Sequence, residues 1–222
     1  MSKEASIEGA SLRSGPKLGE QFEDFAKQYE AARLGMWAFL GSEALLFAGL
    51  FALYGAYRDL YRPAFHIAGQ HMDVTLGTLN TFILLTSSLS VALAVWAARG
   101  RRSRLCSLLL VVTLLFAALF LVLKGVEYSA HFAEGLYPGQ YYSSTELPQA
   151  GVKIFITLYF FMTGLHALHV IAGMIILSWA LRHALRGRWT PEHHTGLELG
   201  AMYWHLVDLI WIFLWPLLYL VD

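Results

Sequence analysis

The sequence predicts an all-α protein, an integral membrane bundle of five transmembrane helices. Two observations carry that prediction. The chain is 57% hydrophobic and only 14% charged, where a soluble domain carries nearer a quarter charged residues. Its apolar residues also gather into five runs, about 33–57, 74–98, 105–128, 152–181 and 197–220. At ~1.5 Å of rise per residue each is long enough to cross a hydrocarbon core of ~30 Å. A polar segment, residues 1–32, precedes the bundle of residues 33–222, and no internal repeat or further boundary is visible. The formal net charge is zero, which gives no global attraction for nucleic acid, and the single Cys106 excludes an intramolecular disulfide framework. The first thirty residues hold no apolar core of signal-peptide type, so the N-terminus is expected to stay in the mature protein.

Within the leading segment, Lys17 to Ala32 places Phe22, Phe25 and Tyr29 on one stripe of a charged helix, suited to the membrane interface. The first span, RLGMWAFLGSEALLFAGLFALY, holds one carboxylate, Glu43, about half-way along. An ionisable group at that depth is costly and therefore faces protein, water or a partner, which makes Glu43 the first functional candidate. Arg58 to Asp73, interrupted by Pro63 and Gly69, is expected to be a loop. The second span carries Asn80, Thr81, Thr86, Ser87, Ser88 and Ser90, small polar residues that suit close packing and interhelical hydrogen bonds. Arg99, Arg101, Arg102 and Arg104 then form a basic turn.

The third span is apolar until Lys124 and Glu127, three residues apart and expected to make a terminal ion pair. Residues 129–151 are rich in Gly, Pro, Ser and Tyr and read as the longest external loop. His166 and His169 share a face of the fourth span. Metal or haem ligation would require a matching pair on a facing helix, and none is evident, so packing and hydrogen bonding to Thr or Glu is the expectation. His193 and His194 stand at the membrane edge before the fifth span. There Glu198, His205 and Asp208, seven and three residues apart, lie near one face that has to meet another helix. Trp204, Trp211, Trp215 and Tyr219 add bulk and interfacial anchors.

An odd number of spans puts the two termini on opposite sides. Of the sixteen Lys and Arg residues, twelve fall on the N-terminal side: Lys3, Arg13, Lys17, Lys27, Arg33, the four arginines after the second span, and Arg182, Arg186 and Arg188. The positive-inside rule then predicts a cytoplasmic N-terminus and an external C-terminus. The residues assemble no nucleophile–base constellation, phosphate loop or metal set, so composition and spacing lead to a bundle with buried ionisable groups and to no reaction.

Four ordered motifs add a resemblance. GMWAFLGSEALLFAGLF, DVTLGTLNTFILLTSSLSVALA, TGLHALHVIAG and YWHLVDLIWIFLWPLLYL, together running from about Arg33 to the C-terminus, resemble subunit III of the haem-copper terminal oxidases. The resemblance implies a non-catalytic accessory subunit of a complex that reduces oxygen and pumps protons. Haem and copper would be carried by partner subunits I and II, none by this chain, and phospholipid would be bound. It implies that Glu43 is the buried acid reactive towards carbodiimide and that the subunit supports proton uptake and durability during turnover. It also implies that Arg182 and His183 lie where lipid headgroups bind. With no span before residue 33, the chain is similar to the five-span bacterial form of a plasma (inner) membrane, lacking the two-helix wall of the seven-span form. A related accessory subunit of a quinol oxidase or nitric oxide reductase is the alternative, with an independent proton-linked transporter the third reading. A larger respiratory supercomplex is a further partner that the resemblance to the oxidase subunit allows.

Overall fold

The computed structural model describes residues 20–143, 150–190 and 194–221. Lys3, Arg13, Lys17 and His193, invoked above, lie outside the described residues. Among the described residues the regular structure is helical throughout: α1 (Phe25–Leu60), α2 (Arg62–Gln70), α3 (Val74–Arg99), α4 (Ser103–Ala133), a 3-10 turn (Gly139–Tyr141), α5 (Ala150–Leu185) and α6 (Thr195–Tyr219). Five of these, α1, α3, α4, α5 and α6, are long and apolar enough to cross a membrane. The chain divides into two compact units, residues 1–38 and 39–222.

In the first unit the helix begins at Phe25. The Asp24 carboxylate accepts from the Lys27 backbone N–H at 2.7 Å, and Lys27 pairs with Glu23. The Phe25 and Tyr29 rings stand 6.4 Å apart on one face. Phe22 precedes the helix, so the expected aromatic stripe is shorter than the spacing suggested.

The second unit is built on α3, α4, α5 and α6, each packed against its neighbour in sequence, with α6 returning against α3 to close a ring. Close approach depends on small residues. A Cβ on Gly173 would meet the Trp204 ring at 2.6 Å, and one on Gly77 would meet Tyr219 at 2.9 Å. These are contacts no side chain tolerates without a shift, so the indole of α6 lies directly on the α5 backbone. Helix α3 is started by Asp73, whose Oδ1 accepts from the backbone N–H groups of Thr75 and Leu76. Helix α5 ends where Gly187 takes φ +63°. There the N–H groups of Gly187 and Arg188 reach back to the carbonyls of Ala184 and His183, which satisfies the final turn.

From residue 39 onward α1 buries only Leu40, Phe47 and Tyr54. These residues are seven apart, the heptad spacing of a narrow seam between packed helices. Along the seam Phe39 stacks on Tyr203, Phe51 meets Phe213, and the Tyr54 hydroxyl donates to the Leu217 carbonyl at 2.6 Å. The rest of this helix presents Leu45, Leu46 and Leu53 outward, as a lipid-facing helix does.

Two loops expected from sequence are partly helical. Arg58 to Asp73 continues α1 to Leu60 and then forms α2, because Pro63 sits in the first turn, where its missing N–H has no partner to lose. Gly69, read as a breaker, is inside α2 with Val221 packed against it. Likewise α4 runs to Ala133, beyond the expected end near residue 128.

Candidate functional site

Glu43 lies on the α1 seam one turn from Leu40 and from Phe47, so the pattern that buries those two side chains also turns the carboxylate inward. Its Oε2 stands 3.0 Å from Nε2 of His169 on α5. The two side chains keep 19% and 15% of their exposure, which leaves the pair at the flank of the bundle rather than in its centre. The Phe47 ring packs edge-on to the imidazole at 5.3 Å, and the Tyr203 hydroxyl donates to the His169 carbonyl at 3.2 Å.

The protonation of this pair follows from its second contact. His169 Nδ1 is 2.8 Å from the Leu165 carbonyl oxygen, which can only accept, so Nδ1 carries a hydrogen. One further proton then lies between Nε2 and Oε2. It makes either a carboxylic acid facing a neutral imidazole or a carboxylate facing an imidazolium. Both arrangements are neutral as a unit, which explains how an acid is carried half-way through an apolar helix. What the pair can do chemically is hold and pass a single proton at the protein flank.

Its i−3 neighbour on α5, His166, turns instead into the core. It is fully buried, with its ring 5.2 Å from that of Trp211 and 5.7 Å from that of Phe120. On α6, His205 Nδ1 lies 2.7 Å from the Ser88 hydroxyl of α3. Asp208, one turn on, is buried against the same helix. Trp204 and Trp211 donate their indole N–H groups to Ser87 and Thr81, so with Ser88 three of the small polar residues of α3 hold α6, while Ser90 reaches the Leu109 carbonyl of α4. Glu198 sits apart from these, at the helix start. It accepts from Arg99 of α3, Nη2 to Oε1 2.5 Å, and lies 2.9 Å from His194 Nε2.

The pair expected at the helix exit, Lys124 and Glu127, is a pair, but it is buried and extends across three helices. Their side chains are 5% and 2% exposed. The Lys124 ammonium has three hydrogens and uses all of them, donating to Glu127 Oε2 at 3.0 Å, the Tyr159 hydroxyl at 3.0 Å and the Tyr219 hydroxyl at 2.8 Å. Both phenols then donate to Glu127 Oε1, at 2.6 Å and 2.5 Å. The rings of Tyr128, Tyr159, Trp211 and Tyr219 surround the ammonium with centroids at 4.9 to 5.6 Å. The cluster is neutral and saturated, and it ties α4, α5 and the end of α6 together. Two opposite charges inside an otherwise apolar span were the available sequence signal. The tyrosines, far along the chain, gave none.

At the opposite end of α5, Arg182 is exposed. His183 donates from Nδ1 to the Trp179 carbonyl at 3.0 Å, and its ring packs against those of Trp179 and Trp189, 4.3 and 5.5 Å away. The arrangement places one cation and an aromatic-flanked imidazole at the helix end. Among the described residues no three His, Cys, Asp or Glu side chains converge as a metal site would require.

A family model described as Cytochrome c oxidase subunit III matches residues 23–222. Among similar proteins, cytochrome c oxidase subunit 3 of Pyricularia grisea is 34% identical over 194 residues, covering 84% of this chain and 66% of that relative. The Gallus gallus protein of the same description is 33% identical over 201 residues, covering 84% and 68%. That of Thermostichus vulcanus is 31% identical over 195 residues, covering 85% and 87%. The chain thus spans about two thirds of the fungal and avian relatives, and more of the third. Most of these relatives are eukaryotic, so they identify the family without singling out its bacterial branch. With the match covering nearly all of the described residues, the chain belongs to the cytochrome c oxidase subunit III family.

Proposed function

We infer that this chain is the non-catalytic accessory subunit of a proton-pumping haem-copper oxygen reductase in a bacterial plasma membrane, with a cytoplasmic N-terminus and an external C-terminus. Subunits I and II, carrying haem and copper, are its partners, and membrane phospholipid is its ligand. Its contribution is to cover the catalytic subunit, to hold lipid, with Arg182 and His183 as headgroup ligands, and to sustain proton uptake.

The observation that carries this reading is the Glu43–His169 pair. It shares one proton, stands at the flank of the bundle and retains part of its exposure. A fully enclosed acid would serve stability alone, whereas a flank acid can exchange its proton with a neighbouring surface. His169 acts as a positioning residue, since its second nitrogen is fixed by the Leu165 carbonyl. Glu198, bonded to Arg99, and His205, bonded to Ser88, tie α6 to α3, while His166 and Asp208 are buried among the helices.

The test is Glu43→Gln in the assembled complex. The amide keeps the shape and a hydrogen bond to His169 but cannot exchange the proton. The expected outcome is normal haem content and assembly with slower proton uptake or faster inactivation during turnover. Loss of the whole complex would make Glu43 a structural acid instead.

A further inference from the structure

Ser88 stands near the middle of α3, and its hydroxyl meets two titratable side chains of α6. His205 Nδ1 lies 2.7 Å from Ser88 Oγ. The Asp208 carboxyl group, one turn along α6 from His205, has the same hydroxyl as its side-chain hydrogen-bond partner. Among the described residues no other group takes either carboxyl oxygen, so Ser88 is the link between the acid and the imidazole. The three differ in access to the surroundings: Asp208 is 3% exposed, whereas Ser88 and His205 are only partly buried. No charged side chain among the described residues acts on His205 or Asp208, which makes each the other's titratable neighbour. Ser87, by contrast, meets the Trp204 indole, which does not titrate.

An ionised carboxylate half-way along an apolar span is costly, so Asp208 requires a proton or a cation close by. A serine hydroxyl donates one hydrogen and accepts others, which lets it stand between an acid and a base. In one arrangement the Asp208 O–H donates to Ser88 Oγ and the Ser88 O–H donates to His205 Nδ1, whose neutral ring then carries its hydrogen on Nε2. When the Asp208 proton moves to Ser88 Oγ as the Ser88 hydrogen moves to Nδ1, the serine is regenerated and the two ends become carboxylate and imidazolium. Both arrangements are neutral as a unit. From the second, the imidazolium can lose its Nε2 hydrogen to the surroundings of the bundle and keep the one on Nδ1. One proton has then left Asp208 without the carboxyl group itself meeting water.

We propose that Asp208, Ser88 and His205 form a second proton-exchange site of the chain, in which the buried acid gives up and regains its proton through the serine hydroxyl and the imidazole. The site lies on the α3–α6 contact, apart from the Glu43–His169 pair, which joins α1 to α5. It rests on contacts within this chain and not on membership of an oxidase.

The test is time-resolved infrared spectroscopy of the purified full chain after a jump to alkaline pH, in a Glu43→Gln background that removes the other flank acid. The C=O band of a protonated carboxyl group that Asp208→Asn abolishes reports Asp208. That band is expected to decay after the jump, at least about tenfold more slowly in Ser88→Ala, with the fast decay restored in Ser88→Thr. His205→Phe is expected to slow it likewise, and decides where Ser88→Ala does not fold. Absence of any band tied to Asp208, a band that survives the jump, or an unchanged decay in Ser88→Ala would overturn the proposal. So would slowing that Ser88→Thr fails to reverse, since the effect would then belong to packing rather than to the hydroxyl.

Discussion

Removing one member of the Lys124–Glu127 pair leaves the other as an uncompensated ion among aromatic rings. Lys124→Met strands a carboxylate with only the two phenols as donors, and Glu127→Met strands an ammonium whose remaining acceptors are neutral. Breaking a buried pair in this way costs about 3–5 kcal/mol, while replacing both partners with apolar residues of similar volume is often neutral or stabilising. The double variant leaves Tyr159 and Tyr219, with ring centroids 6.3 Å apart, free to bond to each other. Each single substitution is therefore expected to cost about 3–5 kcal/mol and the double variant less than about 2 kcal/mol, a coupling of at least about 4 kcal/mol. Ordinary interhelical hydrogen bonds in membranes average about 0.6 kcal/mol and reach about 1.7, so the two cases separate cleanly. The assay is reversible unfolding of the chain in mixed detergent micelles, followed by tryptophan fluorescence, for which Trp211 lies beside the cluster. Single variants costing under about 1.7 kcal/mol, or a double variant as unstable as the sum of the two, would refute the account of a closed neutral network.

Two further outcomes follow from the packing. Gly173→Ala drives a methyl group to 2.6 Å from the Trp204 ring, so it is expected to destabilise the α5–α6 contact by about 1–3 kcal/mol, measured in the same unfolding assay. Gly49→Ala has open space and is the matched control. Asp73→Ala removes the cap of α3 and is expected to cost about 1 kcal/mol, with Asp73→Asn restoring most of it.

The five spans were legible because hydropathy over ~20 residues is a property of composition, and no tertiary contact is needed to read it. The polar face of α3 was legible from its composition too, since small hydroxyls suit close helix contact; Ser87 and Thr81 donate to their own helix and accept from Trp204 and Trp211. What sequence hid were the partners. The His169 that meets Glu43 stands 126 residues away, and His166, on the same face, turns to the core instead. Spacing places two histidines on a face but not which neighbour each one meets. Pro63 suggests a break over Arg58 to Asp73, yet a proline in the first helical turn starts α2 instead of ending a helix. The seven-residue seam of Leu40, Phe47 and Tyr54 was present in the sequence as a pattern, hidden by the apolar residues around it.

We infer that the chain serves a redox complex without carrying a redox centre of its own. Purification through this chain, followed by an optical haem spectrum of the intact assembly and of the chain after its partners are stripped away, tests that most directly. Haem-copper oxidase bands and subunits I and II are expected in the assembly, with no haem or copper retained by the stripped chain. Stoichiometric haem or copper on the isolated chain, or its purification with no haem protein at all, would contradict it.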